Sequence, residues 1–500
     1  MRLYNVLLTA WKFLALVAVL SSAYIYLYPA VHGCKFPSPQ DGSLAPFRLL
    51  ALGDPQLEGD TSLPKATVPT FPSLGRLSDL TRTWSVNVLG KGLIDIAKEL
   101  VKEDIPKLLH SYRKRIDLVG NDYYLAHVYR TVTWWTKPSH AVVLGDLLGS
   151  QWMNDEEFER RSHRFWTRAF RGAEKVSDNI FDYVEVVREG SMKWDKSLIT
   201  VAGNHDIGYA GDLDESTVER FEKRYGKVNW YITFGLENGQ LRMLTRNQAA
   251  FAEGPRLKVI VLNTMNLDSP VHSKALQKET ERFLDDQIAS SAGQGYLDAT
   301  VLLTHIPLHK QEGLCVDGPF FTHYPDHHGA GISEQNHLTE ASSRSILDGL
   351  YEFEGSFATA GMILNGHDHE GCDVIHARGA VSDGLDNATT SSIGDWTSLR
   401  REDAQKAKVR SDRSVREVTV RSMMGAYGGN SGLVSGWFDK KERRWRFEYQ
   451  SCMFGVQHIW WAVHILDLVT VLVGLALIPL SLLGAGSFIE KQSNSVKKNQ

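Results

Sequence analysis

The residues in this chain best suited to chemistry fall in five clusters: Asp54 and Gln56 in LLALGDPQ, Asp146 in AVVLGD, Asn204 and His205 in TVAGNHD, His305 in VLLTHIP, and His367 with His369 in MILNGHDH. Carboxylate, amide and imidazole groups are ligands for divalent metals. Seven such donors, with His205 left over beside Asn204, suffice for two ions that share one carboxylate, and Asp146 is the candidate bridge. Ions paired about 3.5–4 Å apart clamp the attacking and leaving oxygens of a phosphoryl group, so the pattern reads as phosphate-ester hydrolysis. Singly, Gly-Asp is a turn and Gly-His a loop. The ordered recurrence of GNHD and GHDH, each behind an apolar run, carries the reading.

The elements that must position these residues are the apolar runs themselves. They are short, rich in Val, Leu and Ile, and read as fully buried strands rather than helices. Ligands of such sheets bind just beyond the carboxyl ends of the strands, so the five endings are expected at one rim. Further along, SVREVTVRSM, SGLVSGWF and RWRFEYQ alternate and are expected to close a second sheet as antiparallel strands. The fold class predicted is α/β, a two-sheet sandwich with flanking helices.

In order, Asp-x-Gln, Gly-Asp, Gly-Asn-His-Asp, Thr-His-x-Pro and Gly-His-x-His, over roughly Arg48 to Asp373, resemble the calcineurin-like metallophosphoesterases. Within that superfamily, GDPQL, the segment GNDYYLAHVYR and an anchor at each end resemble the membrane-anchored phosphodiesterases, fungal and animal, that trim ethanolamine phosphate from GPI glycans in the early secretory pathway. The resemblance implies a metallophosphoesterase sandwich in which Asp54, Gln56, Asp146 and His369 hold one metal, and Asp146, Asn204, His305 and His367 the other. It also implies that His205 is the catalytic acid: activated water attacks phosphorus in line and the imidazolium protonates the departing alkoxide. Imidazole suits the task because its pKa lies near working pH.

Two departures matter. Gln56 stands where many members have His, and an oxygen-richer site favours harder ions, so Mn²⁺ is the first choice for the pair of divalent metals. Gly149 stands where Gly-Asp-x-x-Asp members carry the carboxylate that orients the catalytic His, which leaves the partner of His205 open.

Ligand clusters spread this widely argue for one large unit with insertions rather than several domains. The net charge is −4, and no Lys/Arg stripe is interleaved with aromatics, which excludes nucleic acid as a partner. The stretch Val6 to Tyr28 carries only Lys12 and is long enough to cross a bilayer. A signal peptide is the competing reading, but YIYLYP lacks an A-x-A cleavage pattern. Ile459 to Leu483 is the second span, with Trp460 and Trp461 as an interfacial belt. Arg2, Lys12, Lys491, Lys497 and Lys498 flank the spans, so both termini are expected in the cytosol and Val31 to His458 in the lumen. The expected layout is residues 1–30 with the first membrane helix, a luminal domain 31–458 with a helical insertion at about 60–138, a second membrane helix 459–485 and a cytosolic tail 486–500. His464 and Asp467 are costly in lipid and imply a function, a buried partner or a shallow interfacial pair.

The final KKNQ, with Lys497 and Lys498, resembles a dilysine retrieval signal read by vesicle coats, so the expected address is the endoplasmic reticulum membrane, cycling through early Golgi. That lumen permits disulfides, and four cysteines allow three pairings. Cys34 and Cys452 each lie just outside a span, and Cys315 and Cys372 each follow a ligand cluster, which favours 34 with 452 and 315 with 372 over free thiols. Asn387, in Asn-Ala-Thr, is a glycosylation acceptor if luminal.

Between Gln56 and Asp146 the patterns GLIDIAKELVKEDIPKLLHSYRKR and NDYYLAHVYRTVTWWT read as a helical cap. Within it, Tyr123, Tyr124, Trp134 and Trp135 either line a glycan groove or are ordinary core. GPFFTHYPDHHGAG reads as a loop near the metals, where His323, His327 and His328 either touch substrate phosphate or sit on an exposed turn. Gly379 to Lys408 is polar and lacks a hydrophobic period, and reads as a flexible excursion.

Three functions follow from these readings. The first is a two-metal phosphodiesterase acting on the ethanolamine phosphate of GPI mannose, with GPI-anchored proteins or GPI glycolipid as substrate, in support of their export. The second is a luminal phosphatase or pyrophosphatase for other lipid or sugar phosphates. The third is a non-catalytic membrane cargo adaptor or ion-homeostasis factor, for which a free imidazole beside Asn204 has no chemical use.

Overall fold

The computed structural model describes residues 2–59, 63, 69–80, 86–178, 194–291, 297–353, 357–378 and 395–498; Asn387 and the side chains of Lys497 and Lys498 lie outside the described residues. The five apolar runs are strands: β1 (Phe47–Leu52), β2 (His140–Val143), β3 (Ser197–Thr200), β4 (Ala299–Leu303) and β5 (Ala360–Asn365). β1, β2 and β3 are parallel neighbours in a six-stranded sheet, and β4 and β5 in an eight-stranded one.

Alternation along each strand divides its side chains between two cores. Leu49, Ala51, Val142 and Ile199 of the first sheet meet Val301, Leu303, Met362 and Leu364 of the second in a core between the sheets. Leu50, Leu52, Val143 and Leu198 turn the other way and pack with helical residues such as Leu125, Val128, Phe158 and Phe165. Both faces are covered, which is why the runs are continuously apolar. Each fully buried Leu or Val contributes about 1.5–3 kcal/mol.

Two strand expectations need correction. Asn430–Asp439 pairs antiparallel with β1 and Arg444–Met453 pairs with it in turn, so both extend the first sheet. Only Ser414–Thr419 joins the second sheet, parallel to β5. Alternation specifies the face a residue takes, not the strand that lies beside it. Likewise, the end of the stretch read as a flexible excursion is ordered. Trp396–Arg400 pairs antiparallel with Cys372–Arg378, and Arg401–Lys406 is helical. The Trp396 indole donates to Asp348 (2.7 Å), and such polar anchoring of a half-buried edge strand leaves no apolar period to read.

Two helices are long and apolar enough to cross a membrane, over Tyr4–Tyr26 and Gln457–Leu482. The first, α1 (Arg2–Tyr26), stops short of Tyr28, and Pro29 belongs to a separate one-turn helix, Tyr28–Val31. Proline has no N–H with which to continue the helical ladder. The two apolar helices lie together: Ser22 donates to Asp467 (2.8 Å) and the Trp11 indole to the Thr470 carbonyl (3.1 Å), so Asp467 has a partner, both groups being half-buried. A disulfide between Cys34 and Cys452 closes the chain just outside both.

In the insertion, Val86–Glu99 runs through a π-turn into α2 (Ile105–Thr136), a single helix across both helical patterns. The glycan-groove expectation fails for Tyr124, which is buried on the face of α2 shared with Leu125 and Val128, its hydroxyl donating to the Gly455 carbonyl (2.5 Å). Tyr123, Trp134 and Trp135 are exposed, the Trp135 indole donating to the Cys34 carbonyl (2.9 Å). Helix phase, not aromatic type, sorts these rings.

Candidate metal centre

All five strands release their chains at one rim. There Asp54, Gln56, Asp146 and His367 have φ of 42°, 41°, 49° and 72°. This left-handed region is disfavoured for residues with a Cβ, and such strain concentrates at functional sites. Two glycines admit the close packing: a Cβ on Gly145 (φ 95°) would overlap the His305 ring, and one on Gly203 would overlap Asp146.

The candidate ligands converge. Oxygen and nitrogen donors of Asp54, Asp146 and His305, all buried, lie within 4.8 Å of one another. His305 Nδ1 lies 2.7 Å from the Leu144 carbonyl and donates to it, so Nε2 is the nitrogen turned toward Asn204 Oδ1 (3.0 Å) and Asp146 Oδ1 (3.3 Å). His367 is turned the opposite way: Nε2 donates to the Gln335 carbonyl (2.8 Å) and Nδ1 faces Asn204 Oδ1 (3.1 Å). Carbonyls that fix the tautomer of an imidazole in this manner are typical of metal-binding histidines. Gln56 Nε2 donates to Asp146 Oδ2 (2.9 Å) and to His369 Nε2 (3.1 Å), and the His367 N–H donates to Asp54 Oδ1 (3.0 Å).

The electrostatics of this cluster fit a cation. Asp54 Oδ2 is buried without a hydrogen-bond partner. Burial pushes the Asp54 carboxyl up to about 8, with His305 partly opposing and Asp146 adding to the rise. Burial raises Asp146 too, but His205, His305 and His367 more than offset it and hold the carboxyl far below its usual range. Burial lowers His305, but Asp146 and Asp54 outweigh it and raise the imidazole to about 9; burial and His305 drop His367 to about 3. A proton on His305 thus stands among buried carboxylates that divalent cations would neutralise more fully.

His205 is the second residue of a one-turn helix, Asn204–Ile207, and its backbone N–H donates to Asp146 Oδ1 (2.9 Å). Its half-buried ring places Nε2 3.6 Å from Asp146 Oδ2, while Nδ1 has no hydrogen-bond partner among the described residues. Gly149 supplies none: a Cβ there would come within 2.9 Å of the Gln56 carbonyl, and its N–H donates to the Leu57 carbonyl (3.0 Å). Close backbone approach occupies the place of a carboxylate. His323, His327 and His328 lie on an exposed hairpin and make no hydrogen bond to the cluster; the hairpin's contribution is the Gln335 carbonyl.

Sequence reasoning passed over two supports. Asp206, next to His205, accepts from the N–H groups of Leu147 (3.1 Å), Leu148 (3.0 Å) and Gly203 (2.9 Å), tying the Asp146 and Asn204 loops together. Glu417, wholly buried, accepts from the Leu308 N–H (2.9 Å), Lys310 Nζ (3.0 Å), Asn365 Nδ2 (2.6 Å) and His376 Nε2 (2.5 Å). It thereby joins the chain following His305 to the chain preceding His367. A Glu inside the apolar run VREVTV was the available signal. A disulfide between Cys315 and Cys372 joins the chain following His305 to the chain following His369 further out.

No family model matches the chain. It is 28% identical to Protein TED1 of Saccharomyces cerevisiae, over 92% of this chain and 96% of that protein. It is 26% identical to an uncharacterized protein of Schizosaccharomyces pombe, over 71% of this chain and 79% of that one. Identity to metallophosphoesterase 1 of Rattus norvegicus is 22%, over 53% of this chain and 58% of that protein, little more than half of either. One solved structure, "GAP50 the anchor in the inner membrane complex of Plasmodium", overlays at a TM-score of 0.31 and 8% identity, over 67% of this chain and 84% of that one, too slight a likeness to carry an argument. The chain is metallophosphoesterase-like, as its motifs indicate.

Proposed function

We propose that this metallophosphoesterase-like chain is a two-metal phosphodiesterase that removes ethanolamine phosphate from the mannose of GPI anchors in the lumen of the endoplasmic reticulum, in support of export of the anchored proteins. The observation that carries the hydrolase reading is the buried junction of Asp54, Asp146 and His305, where Asp54 Oδ2 is left without a partner. Asp54, Gln56, Asp146 and His369 would hold one ion, and Asp146, Asn204, His305 and His367 the other. When bound, two divalent cations supply Lewis-acid stabilisation of phosphoryl oxygens and a lowered pKa for the attacking water. Mn²⁺ is the proposed metal, because Gln56 and Asn204 add oxygen donors to the set.

The chain's own groups do the rest. Leu144 and Gln335 carbonyls keep the lone pairs of His305 and His367 turned inward. His205 holds a proton on Nε2 at the half-exposed edge of the site, where the departing alkoxide of a bulky substrate leaves. Two apolar helices beside the domain suit a substrate held in a membrane, and two disulfides suit an oxidising lumen.

Mass analysis of GPI glycans from cells with and without the chain tests the substrate: an ethanolamine phosphate should persist on one mannose when the chain is missing. Purified protein should cleave the diester faster than sugar phosphates or pyrophosphate, and the reverse order would assign it to general phosphatase work. Full rescue of those cells by His205→Ala would favour a non-catalytic adaptor instead.

A further inference from the structure

The strand Arg256–Val261 reads RLKVIV, apolar but for Lys258, whose side chain turns outward beneath the helix Lys274–Ser291 and is only 4% exposed. Lys258 pairs in register with Thr300, near the start of β4, whereas His305 follows the end of that strand. The lysine therefore lies toward the rim opposite the metal centre. Its Nζ donates to Ser290 Oγ (2.6 Å) and sits 4.9 Å from the centre of the Tyr231 ring. No carboxylate pairs with it among the described residues.

The guanidinium of Arg246 lies 5.7 Å from the centre of the same ring, so two cations gather on one aromatic. They border a cavity of about 650 Å³ between the strand Trp230–Glu237, the short helix Arg246–Phe251 and the helix Lys274–Ser291. Gln287, 3% exposed, lines it as well, and its Oε1 has no hydrogen-bond partner among the described residues. Of the acidic groups nearby, Asp298 is engaged by Arg256 through two hydrogen bonds (2.8 and 2.6 Å), and Asp286 is exposed. A buried ammonium without a counterion and a buried amide oxygen without a donor are both unfavourable, and burial lowers the lysine to about 8. One ligand would relieve both.

We propose that this cavity is a second ligand site, built for a hydroxylated anion of the sugar-phosphate class: phosphate against Lys258 and Arg246, and a hydroxyl donating to Gln287 Oε1. The cavity lies within the range of small-molecule sites, about 300–1,000 Å³. The assignment does not depend on the activity proposed for the metal rim.

The test uses the full chain in detergent carrying Asp146→Asn, with chelator present so that the metal rim does not bind phosphate. Equilibrium binding is measured for mannose 6-phosphate, glycerophosphoinositol as a lipid head group, inorganic phosphate and mannose. At least one of the first two should bind at least tenfold more tightly than the last two, and the tighter one names the source. Adding Lys258→Met should weaken that binding at least tenfold, while the thermal midpoint without ligand stays level or rises. If Lys258→Met does not fold, Arg246→Ala, at an exposed position, and Gln287→Leu replace it with the same expectation. Equal binding of inorganic phosphate or mannose, or sugar-phosphate binding unmoved by these substitutions, overturns the proposal.

Discussion

Two clusters of buried charge lie close together in this molecule, and they differ in whether their carboxylate oxygens are all met. Around Glu417, both carboxylate oxygens accept hydrogen bonds, Lys310 also donates to the Leu308 carbonyl (2.8 Å), and the His376 ring reaches Ser398 (2.9 Å). Around Asp54 and Asp146, one carboxylate oxygen is unmet and four residues hold left-handed backbone conformations. A buried carboxylate met on both oxygens belongs to the architecture; one left open is arranged for a ligand. The closed cluster also braces the open one, because Glu417 grips the segments that present His305 and His367.

Asp54→Asn gives the sharpest break between the two. At neutral pH and without metal, burial keeps Asp54 largely protonated, and Asn copies that form. The metal-free thermal midpoint should therefore stay level, while bound metal falls and hydrolysis drops by roughly 10³-fold, the several kcal/mol that metals supply. Full metal content in this variant, measured by elemental analysis, would remove Asp54 from the ligand set.

The opposite outcome is expected for Glu417→Gln. It leaves the Lys310 charge buried without a counter-charge, and breaking a buried pair from one side costs about 3–5 kcal/mol. Denaturant unfolding should show that loss, and adding Lys310→Met should recover part of it. A loss below about 1 kcal/mol would mean that the cluster is not structural.

His205→Ala should separate proton transfer from metal binding. The ring makes no hydrogen bond through Nδ1, so metal content and thermal midpoint should hold while the rate falls about 10²-fold. A parallel loss of metal would make His205 a ligand instead.

The contrast also explains what could be read from the sequence. The open cluster was legible because each ligand ends an apolar run, and run and ligand are contiguous in the chain, as in VLLTHIP. The closed cluster was not, because Glu417 meets Leu308, Lys310 and Asn365 only through the order of strands in the second sheet. The same nonlocal fact hid the place of Asn430–Asp439 beside β1. Tyr124 shows a local limit as well: its aromatic type fits a sugar or a core equally, and helix phase against Leu125 and Val128 decides.

A pH series sets the two clusters against each other with the smallest expected effect. Without metal, Asp54 is raised to about 8, Asp206 to about 7 by burial and Asp146, and His305 to about 9, so the folded chain holds protons that the unfolded chain releases. Their contribution must then fall as pH climbs toward about 9, and above about pH 7 it is not opposed by His367, which burial and His305 drop to about 3 and which is neutral there in both states. Burial pushes Glu417 up, but Lys310 and His376 outweigh it and hold the carboxyl well below its usual value. Its contribution is therefore lost only on acidification, and it is complete above about pH 5. Thermal midpoints in chelator should decline from about pH 7 to mildly alkaline pH, and saturating Mn²⁺ should flatten that decline by keeping Asp54 ionised in the fold. Asp54→Asn should shrink the decline in chelator, whereas Glu417→Gln should leave it in place at a lower midpoint. Identical slopes with and without Mn²⁺ would mean that the open cluster meets no cation at all.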